Sequence, residues 1–232
     1  MLLPVLALGA LLFVHAAAAP LLAARQDGCK DYVLIEARGT FEPQGPSIGF
    51  RNMIERTLSS VPRGGHHVVV YPAAPDATQL TTLIGRQDIT DYINNGTKGC
   101  PTQKYALLGY SQGATVVNEA TQVFFNQSSI QARQTKAVLL IGNPYHLPNK
   151  DGNVDEDGGN RTSNYTGALV GTLNATIAPS YYDTGKVRDI CHTTDLVCTG
   201  ISLDSLFSSS HLSYGFTQSV QDLGVDFLTQ QL

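Results

Sequence analysis

The chain has no tryptophan, few charges and no long hydrophobic run. The missing Trp weakens the case for a stacking platform that would grip bases or sugars. Charged residues are only 15% of the chain, and 15 Lys plus Arg against 19 Asp plus Glu leave a net charge of −4. Such a balance offers no electrostatic pull on nucleic acid or on an acidic membrane surface, so neither is expected as a partner. No stretch reaches the roughly eighteen apolar residues that a helix needs to cross the bilayer. The 22 Gly and 11 Pro are too few and too scattered for a collagenous or low-complexity chain. What is present is ordinary: 232 residues, 42% of them hydrophobic, enough for one globular domain with a sizeable core.

The N-terminus stands apart from that domain. Leu2 to Val14 is apolar and is followed by His15 and the small residues Ala16 to Ala19. The pattern predicts a secretory signal peptide at residues 1–19, cut somewhere between Ala17 and Ala24, although it lacks a basic leading segment. Export to the extracellular space gives other features a meaning. Asn95, Asn126, Asn160, Asn164 and Asn174 each open an Asn-x-Ser/Thr sequon and become candidate glycan sites in an exported eukaryotic chain. The four cysteines become disulfide partners by default. Three pairings are possible in principle. Cys191 and Cys198 enclose six residues, so they are paired locally and Cys29 is left with Cys100.

Along the rest of the chain, apolar runs alternate with helical periodicity. Tyr32 to Ala37, His67 to Tyr71, Tyr105 to Gly109 and Ala137 to Ile141 read as strands, and Lys186 to Ile190 as a short fifth. Phe50, Met53, Ile54 and Leu58 recur at helical spacing. Asp76 can cap a helix with an inner stripe of Leu80, Leu83, Ile84 and Ile93. Ala114, Val117 and Phe124 form the next inner face, and Val220, Leu223, Phe227 and Leu228 the last, with Ser219 as its cap. Continuous apolar strands separated by helices predict a parallel sheet covered on both faces. Asn143 to Lys186 is long for a connection. Asp151, Asn153 and Asp155 alternate there like the start of a calcium loop, but Glu156 stands where such a loop needs Gly and Thr162 where it needs Glu. A solvated, glycosylated surface loop is the expectation for this segment.

The chemistry centres on Gly109-Tyr-Ser-Gln-Gly113. A Gly-x-Ser-x-Gly match arises by chance in about one such chain in ten, so context decides. Here an apolar strand leads in and an amphipathic helix leads out, the setting in which a sharp turn exposes a nucleophilic hydroxyl. Ser111 is therefore the candidate nucleophile. A serine needs a base, and the base needs a carboxylate to orient it, in the chain order serine, acid, histidine. That order excludes His15, His66 and His67. His146 precedes the best acid, and His192 is tethered inside the Cys191–Cys198 loop, which leaves His211. Asp195 is the favoured acid because a tight disulfide loop would hold it rigidly; Asp204 is the reserve, and Asp189 should point along or out of its strand. The backbone N–H of Gln112 and the N–H or hydroxyl of Thr40 are candidate oxyanion donors. No metal or cofactor enters this reading.

Four segments in order, Ala37-Arg-Gly-Thr-Phe-Glu-Pro, Gly109-Tyr-Ser-Gln-Gly-Ala, Asp195-Leu-Val-Cys-Thr-Gly and His211-Leu-Ser-Tyr-Gly, resemble the cutinase family of secreted serine esterases, a group that includes acetylxylan esterases. The resemblance runs over residues 29–232 and implies a single compact α/β-hydrolase domain: five parallel strands, helices on both faces and no large lid. It also implies the triad Ser111, Asp195 and His211, an oxyanion pocket at Thr40 and Gln112, and the disulfides Cys29–Cys100 and Cys191–Cys198. The implied partner is an ester, with a monomer expected. Aliphatic or polyester esters are preferred over acetylated xylan, because the segments around Asp195 and His211 look more like cutinases. A secreted carbohydrate-binding protein with a vestigial triad is the non-enzyme alternative.

Overall fold

The computed structural model describes residues 28–76, 78, 80–173, 175–200 and 208–232. Its strands are β1 (Tyr32–Ala37), β2 (Gly64–Val68), β3 (Lys104–Tyr110), β4 (Thr135–Ile141), β5 (Asn153–Val154) and β6 (Val187–Ile190). They form one sheet in the order β2-β1-β3-β4-β6-β5, and every neighbouring pair is parallel. The helices are α1 (Met53–Ser60), α2 (Leu80–Gly99), α3 (Gln112–Val123), α4 (Ile130–Gln134), α5 (Pro179–Tyr182) and α6 (Gln218–Gln231), with a 3-10 turn at Ile48–Phe50.

The central strands read as unbroken apolar runs because both their faces are covered. Alternate side chains serve two cores, as the pleat demands. Val33, Ile35, Leu107, Val138 and Leu140 face one side and pack with Ile89 and Ile93 of α2 and Val116 and Val117 of α3. Leu34, Ala106, Leu108, Leu139 and Ile141 face the other, against Met53 of α1 and Val220, Phe227 and Leu228 of α6. Truncating one of these, such as Leu139→Ala, is worth about 2–5 kcal/mol.

Several local expectations change. The sheet has six strands rather than five, because the long excursion after β4 contributes the two-residue β5 beside β6. The second strand starts at Gly64, earlier than His67, since Gly64 lies under the Tyr32 ring, where a Cβ would come within 2.3 Å. In α2, Leu80 and Ile84 face outward, and Thr82, Gly85, Ile89 and Ile93 form the buried stripe. Gly85 sets that rotation, because its bare Cα lets α2 close onto Val116. The cap of α6 is Thr217, one turn-position ahead of the helix, and Ser219 lies inside it.

The segment after β4 is not simply a solvated loop. It is closed on itself by backbone bonds, Gly167 N–H to His146 O at 2.8 Å and Asn149 N–H to Ser163 O at 2.7 Å among them. Asp155 is fully buried. Its Oδ1 accepts the N–H groups of Asp157 and Gly159, and its Oδ2 accepts Arg161 Nε at 2.7 Å. That guanidinium and those amides hold the carboxyl well below the usual carboxylate range. The acidic string that looks like a calcium loop thus turns its central carboxylate onto its own arginine. Asn95, Asn126, Asn160 and Asn164 are exposed, as a glycan would require; Asn174 lies outside the described residues.

Candidate active site

β3 ends in a sharp turn. Ser111 adopts φ 53°, ψ −117°, a conformation strained for a residue with a Cβ, and α3 starts at the next residue. The flanking glycines make this turn possible. A Cβ on Gly109 would meet the Ala114 Cα at 2.6 Å, and one on Gly113 would meet the Ala37 carbonyl oxygen at 2.0 Å. Ser111 N–H donates to Ile141 O at 3.0 Å, tying the turn to the end of β4.

His211 arrives from the segment before α6. Its Nε2 is 2.9 Å from Ser111 Oγ and its Nδ1 is 2.8 Å from Asp195 Oδ2. A carboxylate can only accept, so Nδ1 carries the proton and Nε2 is left to accept from the serine hydroxyl. All three side chains are almost fully buried, which removes the water that would otherwise compete for these bonds. Asp195 sits in the loop closed by the Cys191–Cys198 disulfide, and its Oδ1 accepts Val197 N–H at 3.0 Å. Gly142 lets the group close up: it has φ +57°, and a Cβ there would lie 2.9 Å from His211 Cε1. The second disulfide, Cys29–Cys100, lies at the far ends of β1 and β3 from the serine.

Thr40 stands in the loop after β1, lining the same small cavity as Ser111 and His211. That loop is braced by its own charged residues. Arg38 is buried and donates to Glu42 O, Gln44 Oε1 and Tyr71 O. The Glu42 carboxylate accepts Gly39 N–H, Ser47 Oγ–H and Ile48 N–H. Gln112 begins α3, where the first-turn N–H groups have no partner within the helix, and its side-chain amide is tied back to Ala74 O at 2.8 Å. A hydroxyl and an imidazole lining one cavity, with a carboxylate behind the imidazole and a helix that starts right after the serine, can carry acyl transfer.

The cutinase family model matches residues 28–232. The chain belongs to the cutinase family. It is a carboxylic ester hydrolase of cutinase type. A novel cutinase-like protein from Cryptococcus sp. is 34% identical, covers 90% of this chain and 98% of its own, and superposes with a TM-score of 0.79. Carboxylesterase Culp1 of Mycobacterium tuberculosis is 29% identical over 77% of this chain and 73% of its own length. The catalytic core domain of acetyl xylan esterase from Trichoderma reesei, at 21% identity and a TM-score of 0.68 over 88% of this chain and 100% of its own, shares the fold.

In this cutinase-family site the cavity at the serine is small, about 60 Å³, with Phe41, Ile48 and Leu212 exposed around it. A groove of about 630 Å³ shares Ile48 with it and continues over Phe50, Ile54 and Leu58 of the 3-10 turn and α1. Among the described residues no group of three His, Cys, Asp or Glu side chains could hold a metal, and no helix is long and apolar enough to cross a membrane.

The other described histidines stand elsewhere, and His15 lies outside the described residues. His66 bonds Glu36 and His67 bonds Asp88, both on the β2 side. His192 meets Thr217 Oγ1 at 3.2 Å, and burial pushes it down despite the nearby Glu156 and Asp195 carboxylates. His146 is buried against Asp189 at 3.0 Å. Asp189 therefore points into the protein, and the expectation that it points along or out of its strand is corrected: Asn143 and His146 of the excursion close over its carboxylate. Asp204 lies outside the described residues.

Sequence reasoning gave no role to two residues that touch the triad and one that braces it. Tyr110, the first variable residue of the pentapeptide, donates its hydroxyl to His211 O at 2.7 Å. Tyr214, three residues after His211, donates to Asp195 Oδ2 at 2.7 Å. Glu156, from the excursion, accepts the N–H and hydroxyl of Thr193 at 2.9 and 2.7 Å and so supports the Asp195 loop. The two tyrosines lie inside quoted motifs and were findable there; nothing in the sequence points to Glu156.

Proposed function

We propose that the chain is a secreted, monomeric enzyme that hydrolyses aliphatic or polyester carboxylic esters through an acyl-enzyme on Ser111. His211 Nε2 takes the Ser111 proton as Oγ attacks the ester carbonyl, and Asp195 holds the imidazole in position. The N–H of Gln112 and the N–H or hydroxyl of Thr40 stabilise the tetrahedral oxyanion. The C–O bond to the alcohol then breaks, and His211 returns its proton to the departing oxygen. A water deprotonated by the same imidazole attacks the acyl-enzyme and releases the acid and free Ser111.

The observation that carries the substrate class is the exposed apolar rim. The cavity itself holds a few atoms, so a longer chain must lie over Phe41, Ile48 and Leu212 or along the adjoining groove. The side chains of Phe41, Ile48 and Leu212 favour hydrocarbon and offer no hydrogen bonds to a hydroxylated polysaccharide, while the groove beyond them adds polar groups such as Arg51, Glu55 and Ser59. Secretion is supported by the apolar Leu2–Val14 run with its following alanines, by cleavage expected between Ala17 and Ala24, and by two disulfides.

Two measurements test this. Medium-chain nitrophenyl esters and a cutin-like polyester are expected to be cleaved faster than acetylated xylan; the reverse ranking overturns the substrate class. An organophosphonate is expected to label the wild type and not Ser111→Ala; equal labelling removes Ser111 from its role.

A further inference from the structure

We infer that Tyr214 is a positioning residue of the hydrolase, whose phenol hydrogen bond to Asp195 Oδ2 tempers how strongly that carboxylate holds His211. The inference rests on the roles proposed above for Asp195 and His211.

Three donors meet the buried Asp195 carboxylate. Val197 N–H reaches Oδ1 at 3.0 Å, whereas Tyr214 Oη and His211 Nδ1 both reach Oδ2, at 2.7 and 2.8 Å. Sharing one oxygen couples the last two: charge drawn towards the phenol is charge withheld from the imidazole. The direction of the phenol bond is fixed by its surroundings. Tyr214 Oη accepts His192 N–H at 3.0 Å, so its own proton is free for the carboxylate. The ring is fully buried and stands edge-on to His211, with centroids 6.3 Å apart at 87°. Burial, and then the Asp195 charge, push the phenol well above its usual range, so it remains a donor wherever the enzyme is folded. The titratable groups facing it are Asp195, His211, His192 and Tyr110.

This geometry makes an unusual prediction about sign. A residue that merely braces Asp195 would, once removed, loosen the Asp195–His211 contact, and the acidic limb of the kcat/KM profile would fall to lower pH or stay put. A residue that tempers Asp195 has the opposite effect. Without the phenol the carboxylate holds the protonated imidazole more tightly, and the limb moves to higher pH.

The test is Tyr214→Phe, which keeps the ring, assayed on a soluble nitrophenyl ester, with active sites counted by organophosphonate labelling. The expected result is an acidic limb shifted upward by about half a pH unit, kcat lowered up to about tenfold and KM little changed. An unmoved or lowered limb overturns the proposal. Site-specific 3-fluorotyrosine at position 214 preserves packing and donates more strongly, and covers the case in which the Phe variant does not fold. Its limb is expected to shift to lower pH, and a shift in any other sense overturns the inference. If wild type takes no label at Ser111, the reading of the triad has failed instead, which separates the two outcomes.

Discussion

Two fully or almost fully buried histidines each lean on a buried aspartate, His211 on Asp195 at 2.8 Å and His146 on Asp189 at 3.0 Å. The pairs differ in what the far nitrogen meets. His211 Nε2 faces the Ser111 hydroxyl, a group that can donate to it. His146 Nε2 faces the Thr162 carbonyl at 3.2 Å, which can only accept. A ring between a carboxylate and a carbonyl needs a proton on both nitrogens and has nowhere to pass either one. Asp189 is further occupied by Asn143 Nδ2 at 2.8 Å, and Asn143 in turn accepts Tyr145 N–H at 2.9 Å. The second pair is thus a fastening between β6 and the excursion that follows β4. A histidine–aspartate contact becomes a candidate for chemistry through its third partner.

The strongest way to break this comparison is to neutralise each acid in turn. Asp195→Asn is expected to lower kcat by about 10⁴-fold with the fold intact, because the amide favours the wrong tautomer of His211. Asp189→Asn is expected to leave kcat per labelled active site unchanged. It should cost about 3–5 kcal/mol of stability, since a buried charged partner is left uncompensated. Denaturant unfolding and active-site titration of both variants decide the matter. If Asp189→Asn abolished turnover in a protein of normal stability, the second pair would belong to the chemistry after all.

The two disulfides sharpen the contrast at smaller scale. Cys29–Cys100 spans 71 positions and Cys191–Cys198 spans 7. Loop-closure entropy assigns about 4 kcal/mol to the first and about 2.5 kcal/mol to the second. Replacing the first pair by serine is therefore expected to lower Tm more, and replacing the second to lower kcat more, because only the second encloses Asp195. Equal effects on kcat would mean that the disulfide around Asp195 contributes nothing to holding it.

Much of this was legible in the residues, for physical reasons that also explain what was not. β1, β3 and β4 are central and covered on both faces, so their sequences are nearly pure hydrocarbon and could be read directly. β2 is an edge strand that opens on Gly64, Gly65, His66 and His67, which carry no apolar signal, so its start was read late, at His67. Ser111, Asp195 and His211 each sit in a distinctive local context: a glycine-flanked turn, a disulfide loop and a short polar stretch before a helix. The excursion at 143–186 was opaque because its burial comes from irregular local turns and a few long-range contacts. Asp155 is buried by Arg161 and backbone amides, and Glu156 finds Thr193 across 37 positions. Neither contact leaves a period or spacing in the chain.

The smallest expected effect is a difference in pH dependence between His146 and His192. Burial by itself would lower His146, but the Asp189 charge and hydrogen bond, with the Thr162 carbonyl, outweigh it and raise the group above its ordinary value. A histidine raised in the folded state contributes stability that is fully present below the unfolded value of about 6.5, and that stability is lost as pH rises through the folded value. His146→Gln should therefore melt below wild type by a gap that is widest near pH 5.5 and narrows by a few degrees towards pH 9. His192 is lowered in the fold, so its protonation opposes folding, and the stability it withdraws appears as pH falls below about 6.5. The gap between wild type and His192→Gln should run the other way, moving in the variant's favour at acid pH. Glu119, which burial pushes up to about 7, titrates in wild type and variants alike and cancels in each difference. Thermal unfolding of the three proteins across pH 5.5 to 9 checks both slopes. Parallel curves would mean that His146 carries no charge in the fold and that Asp189 is held by Asn143 alone.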